Sequence, residues 1–313
     1  MPIMNFTKFT NFINSNLKNN QKNQKNHKKL NKKIPEYTLK FFAMFSSSII
    51  FAIVIFLIYN SVPLVTELNI FDFLLGGQWT PSKELYGILP MIVGTILTSF
   101  LSLLIAVPLG VGCAIFLSEI IPNNISKIFR SCIEILATIP SVVYGFIGMI
   151  LLIPLIRDIF GGTGFSALSG GIILSIMILP TIVSLSEDAL RNVPSALKDG
   201  SLALGATRFQ TLKNITLPSA LSGIISSIIL GLGRAVGETM AVIMVVGNWA
   251  LIPNSPLEPV RTLTSHIVLN IKETATGGVI YHIMFATGLV LLIVVMALNL
   301  IAKYVNSKYN LNN

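Results

Sequence analysis

The chain has 313 residues, 53% of them hydrophobic and only 11% charged, with a mean hydropathy of +0.76. Soluble domains carry roughly 25% charged residues, so a water-soluble enzyme or nucleic-acid-binding domain is excluded despite a net charge of +9. The composition is that of an all-α polytopic membrane protein.

Residues 1–40 hold nine of the 22 Lys and Arg residues against one acid, Glu36. The stretch NNQKNQKNHKKLNKK has almost nothing apolar to bury and reads as disordered. The positive-inside rule puts it in the cytoplasm; an RNA- or lipid-binding arm is the alternative reading. Crossing a bilayer takes about 20 mostly apolar residues. Six stretches meet that need: Phe41–Tyr59, Leu85–Ser118, Ile135–Ile156, Gly170–Ser186, Leu217–Gly247 and Gly278–Ala302. No small-x-small cleavage site follows the first, which reads as an uncleaved anchor. The expected segments are a basic tail (1–40), an anchor helix (41–62), an extracytoplasmic loop (63–84), a transmembrane core (85–305) and a cytoplasmic C-terminal tail (306–313). Six crossings return the C-terminus to the side of the N-terminus, where Lys303 and Lys308 follow the last helix.

Cys113 and Cys132 stand apart, and His27, His266 and His282 lack ligand spacing, so no disulfide or metal site is expected. No GxxxxGK[ST] loop occurs. No cofactor is expected, and the chain does not read as an enzyme.

Ser186–Ala220 (SEDALRNVPSALKDGSLALGATRFQTLKNITLPSA) is too long and polar for a mere connection. Ser186, Glu187 and Asp188 suit a helix start, and Pro194 breaks that helix. Ser195 is positioned as an N-cap for an amphipathic helix, Ser195–Leu204, with Leu197, Leu202 and Leu204 apolar. Gly205 is placed to end it, and a further helix runs from Ala206 towards Leu217-Pro218. A solvated connector would explain this pattern equally well. The frame Asp199-Gly200-Ser201, three residues, Gly205, nine residues, Ile215-Thr216-Leu217-Pro218 resembles the cytoplasmic EAA loop of ABC-importer membrane subunits, whose spacing is E-A-A-x3-G-x9-I-x-L-P. The departure is in the first triplet, where Gly200 weakens the helix by about 1 kcal/mol relative to Ala. The resemblance implies that residues 186–218 dock into a separate ATPase subunit.

The fifth stretch carries GLGRAVGETMAV, with Arg234 and Glu238 four residues apart. A charge at mid-membrane costs about 2.5–3.5 kcal/mol on insertion scales. On one continuous helix that spacing puts both charges on one face, in reach of an ion pair. Arg234 would lie roughly 25 Å from Leu217 at 1.5 Å per residue. Three readings stay open: a structural pair that fixes helix register, a proton-coupling carboxylate, or a transient anion site at Arg234 moderated by Glu238. Pro140, in IPSVVYG, is placed to break or kink the third stretch, which would let Ser141 and Tyr144 line a path; a packed kink explains it as well.

GLGRAVGETMAV resembles the RAIGETMAV signature of phosphate-importer permease subunits. YGILPMIVGTILTS, AIFLSE, EILATIPSVVYGFIG and GETMAVIMVVGNW extend the likeness to the PstC type over residues 70–305. The resemblance implies a type I ABC importer (MetI-like) permease core, phosphate as cargo, and a passage role for Arg234 and Glu238. It also implies a PstA-type second permease, two ATP-binding subunits and an extracytoplasmic phosphate-binding protein. Chemistry alone leaves sulfate and molybdate open, and a membrane scaffold or sensor of phosphate status is the alternative from another class. The loops Pro63–Glu84 and Trp249–Tyr281 are expected to receive the binding protein. The resemblance implies a multi-pass protein of the bacterial cytoplasmic membrane, bathed in lipid, with no nucleic-acid partner.

Overall fold

The computed structural model describes residues 37–64, 68–271, 274–275 and 277–310, so residues 1–36 of the expected basic tail (1–40) lie outside the described residues, while its last four, Tyr37–Lys40, are helical and not disordered. The chain divides into two units, residues 1–56 and 57–313. Helix α1 (Tyr37–Leu64) supplies all that is described of the first, where it is apolar and exposed along nearly its whole length. The second unit takes in the end of α1 from Leu57, then α2 (Ile70–Leu75) and a hairpin of two short strands, β1 (Trp79–Thr80) and β2 (Leu85–Tyr86). There follow α3 (Leu89–Ile115), α4 (Asn123–Thr138), α5 (Ser141–Ile147), α6 (Ile153–Phe160) and α7 (Ala167–Arg191). The remaining helices are α8 (Ser195–Ala203), α9 (Arg208–Thr211), α10 (Leu217–Gly237), α11 (Met240–Val245), α12 (Leu263–Ile271) and α13 (Val279–Asn310).

Among the described residues six helical stretches are long and apolar enough to cross a membrane, as expected. All six differ from the sequence reading in their boundaries: α13 runs on to Asn310, taking in Lys303 and Lys308 and the start of the expected C-terminal tail, and three others shift for a local reason. The second stretch starts at Leu89, because Leu85 and Tyr86 pair antiparallel with Thr80 and Trp79. The third starts at Ser141: Ile135–Thr138 belongs to α4, and Ile139 is extended (φ −65°, ψ 129°). The ring of Pro140 disfavours helical backbone in the residue before it, so of the break or kink the sequence allowed, the proline makes the break. The fifth starts at Arg208 and stops at Gly237.

Helix α7 is the most buried of the six and packs against α3 and α10. Ala106 of α3, Ile178 and Ile182 of α7 and Ala235 of α10 form one fully apolar cluster. At Gly110 a Cβ would come within 2.8 Å of Ile182, so a hydrogen in place of a methyl lets α3 and α7 close up. The buried Ser186 and Ser227 hydroxyls meet at 2.8 Å and pin α7 to α10.

Among the described residues three turns are wound as π-helix: Phe116–Ile120, Gly148–Leu152 and Leu212–Thr216. Each ends two residues before a proline, at Pro122, Pro154 and Pro218 respectively. In each, the residue before the proline donates its N–H to the carbonyl five positions back: Ile121 to Phe116, Ile153 to Gly148, and Leu217 to Leu212. A proline has no N–H to give, and its ring crowds the carbonyl four residues earlier. Widening the preceding turn by one residue removes both problems.

Candidate functional site

At the α8 end of the bundle, short helices are lashed to the long ones by charges. Arg191, in the last turn of α7, donates from Nε to Glu187 Oε1 at 2.8 Å and from Nη2 to Ser126 Oγ of α4 at 2.7 Å. Arg130 of α4 bonds Asp188 at 2.8 Å and Glu134 at 3.3 Å. Lys198 of α8 reaches Glu119, in the π turn after α3, at 2.6 Å. Ser201 and Thr211 share a hydrogen bond of 2.9 Å between α8 and α9. The loop is therefore a built platform standing on three long helices.

Helix α8 spans Ser195–Ala203, one residue short of the sequence reading, and Pro194 takes the cap position assigned to Ser195. The helix foreseen at Ser186 is absent: α7 runs on to Arg191, because Glu187 and Asp188 pair with Arg191 and Arg130. Gly205 closes α8 with φ +86°, a left-handed setting that suits a residue without a Cβ. Thr207 and Gln210 form a capping box that starts α9. Asp199, Gly200 and Gly205 are exposed, and a Cβ on Gly200 would meet nothing. Leu197, Leu202, Leu204 and Phe209 point outward, Leu204 being 91% exposed. Ile215 lies in the π turn and Pro218 at the start of α10, where Leu217 packs on the cluster of Ala114, Leu190 and Ile224.

The intramembrane charges part company. Helix α10 ends at Gly237, and Glu238 is extended (φ −70°, ψ 134°). The sequence reading placed Arg234 and Glu238 on one helical face; the break removes that geometry, and among the described residues they form no ion pair. Glu238 Oε1 instead accepts from the Ala241 N–H at 3.3 Å, capping α11 where a carboxylate favours the positive helix end. Its main-chain carbonyl accepts from the Thr264 hydroxyl at 3.0 Å. Arg234 Nη1 donates to the Thr181 hydroxyl of α7 at 3.3 Å.

Arg234 lines a cavity of about 650 Å³ between α7, α10 and α13. Thr181, Ser226, Asn299 and Lys303 share its wall, with no carboxylate among its described lining residues. Sequence reasoning did not find Thr181, Ser226, Asn299 or Lys303 as neighbours of Arg234. Their signal was a polar residue recurring at helical spacing, Asn299 and Lys303, near the end of an apolar span.

Ser141 opens α5 half-buried. Tyr144 is buried, and its hydroxyl donates to the Leu136 carbonyl at 2.7 Å. In an unbroken helix that carbonyl would look to residue 140, which is proline and has no N–H. The tyrosine supplies a donor in its place, beside a longer bond of 3.4 Å from the Ile139 N–H.

The segment 249–281 is only partly an open loop. Its helix α12 packs on α3 and α13, with Leu263, Thr264, Ser265 and His266 buried. Leu263 N–H donates to the Thr95 hydroxyl at 2.9 Å. His266 stands edge-on to Trp79, ring centroids 4.2 Å apart. Burial first, and the Arg261 guanidinium second, push its imidazole down to about 3. The folded chain thus keeps His266 neutral, while an unfolded histidine takes a proton below about pH 6.5. Stability is full above that pH and falls as pH drops towards 3, by up to about 1.4 kcal/mol per unit. Thermal unfolding of the purified protein between pH 7 and about pH 5 checks this, and His266→Gln is expected to flatten the slope.

The model of the family "Binding-protein-dependent transport system inner membrane component" matches residues 106–310. A probable ABC transporter permease protein, YqgH of Bacillus subtilis, is 44% identical over 78% of this chain and 80% of its own. The phosphate transport system permease protein PstC of Pasteurella multocida is 34% identical over 85% and 90% respectively. Its counterpart from Haemophilus influenzae is 33% identical over 87% and 92%. Among solved structures, the bacterial alginate ABC transporter in complex with a pentasaccharide-bound periplasmic protein aligns with a TM-score of 0.56 at 19% identity, over 84% of this chain and 92% of that one. The inward-facing MetNI methionine ABC transporter aligns at 0.54 and 21%, over 74% and 99%. The fold is therefore that of an ABC-importer permease, and the chain belongs to the family of inner membrane components of binding-protein-dependent transport systems.

Proposed function

We propose that this chain forms part of the transmembrane path of an ATP-driven importer that carries inorganic phosphate inwards across the bacterial cytoplasmic membrane, with both termini in the cytoplasm. The observation that carries the reading is Arg234: a guanidinium in a membrane-crossing helix, hydrogen-bonded to a neutral hydroxyl and facing a cavity without a carboxylate in its described lining. Such a group offers forked donors that suit a tetrahedral oxyanion. The PstC relatives' names favour phosphate as that oxyanion. Glu238 acts one step removed, by fixing α11 beside the path. Ser141 is a secondary lining residue, and Tyr144 supports the break at Pro140.

The platform formed by Asp199, Gly200, Ser201 and Gly205, with Ile215, Leu217 and Pro218 joining it to α10, receives an ATP-binding subunit. The outward Leu197, Leu202, Leu204 and Phe209 supply the apolar area for that contact. The complete importer adds a PstA-type permease, a second ATP-binding subunit and an extracytoplasmic phosphate-binding protein seated on the loops around α2 and residues 249–262.

The test is ATP-dependent uptake of radiolabelled phosphate, and separately of sulfate, into vesicles holding the reconstituted complex. Phosphate uptake well above sulfate is the expected result. Uptake of sulfate alone would reassign the cargo, and uptake without ATP would remove the ATPase from the account. An assembled complex that moves neither anion would leave a scaffold or sensor of phosphate status as the better reading.

A further inference from the structure

We propose that Lys303 is a second cation of the anion route, holding a phosphate oxyanion in the cavity together with Arg234. The observation is a juxtaposition that α10 alone could not reveal. Lys303 belongs to the last turn of the final membrane-crossing stretch, far from Arg234 in sequence, yet both line one cavity of about 650 Å³. Among the described residues neither cation makes an ion pair with a carboxylate. Between them the wall carries the Thr181 hydroxyl and the Asn299 side chain, both able to donate to an anion's oxygens. The remaining wall is Gly233, the aliphatic Ile229 and Leu230, and Ser226. Thin apolar surroundings strengthen the field of both charges.

The arrangement has a direction. Arg234 lies near the far end of α10, whereas Lys303 lies near the C-terminal end of α13. An oxyanion released from the guanidinium meets the ammonium next. A lysine is a compact point charge on a flexible stem and holds an anion less rigidly than a forked guanidinium. Lys303 is therefore the weaker partner, suited to passing the anion on. Sequence reasoning placed it in the charge balance that sets topology; the cavity gives it a chemical role.

A phosphate oxyanion reaches such a cavity either free or on a lipid headgroup, and the experiment separates the two. The full complex is reconstituted in vesicles of phosphatidylcholine alone and with added phosphatidylglycerol. Wild type, Lys303→Gln and Lys303→Arg are compared for maximal rate and half-saturating concentration of inorganic phosphate uptake, after assembly with the ATPase is verified. Lipid that co-purifies with each complex is measured alongside. The expected result is about a tenfold fall in maximal rate for Lys303→Gln, recovered in large part by Lys303→Arg, in both lipids. Loss of bound phosphatidylglycerol from Lys303→Gln, with uptake unchanged, would overturn the role of Lys303 in the anion route and assign its oxyanion to a lipid headgroup. Equal behaviour of all three proteins in both measurements would overturn the proposal, as would equal damage by both substitutions. The inference rests on the proposed transport of an oxyanion. If the wild type moves sulfate and not phosphate, the same comparison made with sulfate tests Lys303 on its own.

Discussion

Replacing Arg234 by glutamine is expected to lower ATP-dependent phosphate uptake between about tenfold and a hundredfold, with the complex still assembled. That range corresponds to losing one charge-assisted hydrogen bond, about 1.5–3 kcal/mol. Little structural loss is expected, because the Arg234 side chain is exposed in the cavity and is held by a hydrogen bond of 3.3 Å to Thr181. The separation from Glu238 gives a second arm. Had the two formed an ion pair, exchanging them as Arg234→Glu with Glu238→Arg would restore much of the lost activity. With Glu238 committed to the Ala241 N–H and held at its carbonyl by Thr264, the exchange is expected to restore nothing. Uptake assays on the single and double variants decide it; recovery in the double variant would reinstate the paired reading.

The largest stability effect is expected at Glu187. Its side chain is 1% exposed, Oε1 meets Arg191, and Oε2 is buried without a hydrogen-bond partner. Removing one member of a buried pair costs about 3–5 kcal/mol, because the other charge is stranded. Arg191 is 36% exposed and keeps Ser126, so water screens part of that cost and about 2 kcal/mol is the better figure. Glu187→Ala should therefore lower the unfolding midpoint of the detergent-purified protein by roughly 5 °C or more. Replacing both partners, as Glu187→Leu with Arg191→Met, should recover most of the loss, since two apolar side chains leave no charge behind. A double variant as unstable as Glu187→Ala would show that the arginine's bonds to α4, and not the ion pair, hold this corner.

How much of this could be read in the sequence follows from what each signal depends on. The six crossings were legible because a long apolar run needs no tertiary knowledge. The platform was legible too: Pro194 and Gly205 punctuate α8 whatever surrounds it. The end of α10 was not. Gly233 and Gly237 suit a tightly packed helix as well as a broken one, and only Thr264 and Ala241, bonding Glu238 from outside the helix, decide for the break. Pro140 announced an interruption, but the apolar Ile135–Thr138 made the segment before it look like membrane. Arg130, Glu134 and Asp188 show why α4 stays with the polar platform. Lys303 illustrates the opposite case: its charge was visible at once, and its neighbours were set by α10 and α7.

The wide turn before Pro218 governs where the platform faces. One residue more or less in a helix turns everything beyond it by about 100° and shifts it by about 1.5 Å. Pro218 therefore acts as an index mark on a screw: it sets the angle at which α8 and α9 stand around the axis of α10. With alanine there, residue 218 could bond the Asn214 carbonyl and the turn could tighten to α. Leu204 would then sweep towards another side of the bundle, carrying its apolar patch away from its present bearing. The aim of the docking surface is thus written in the proline that joins it to α10.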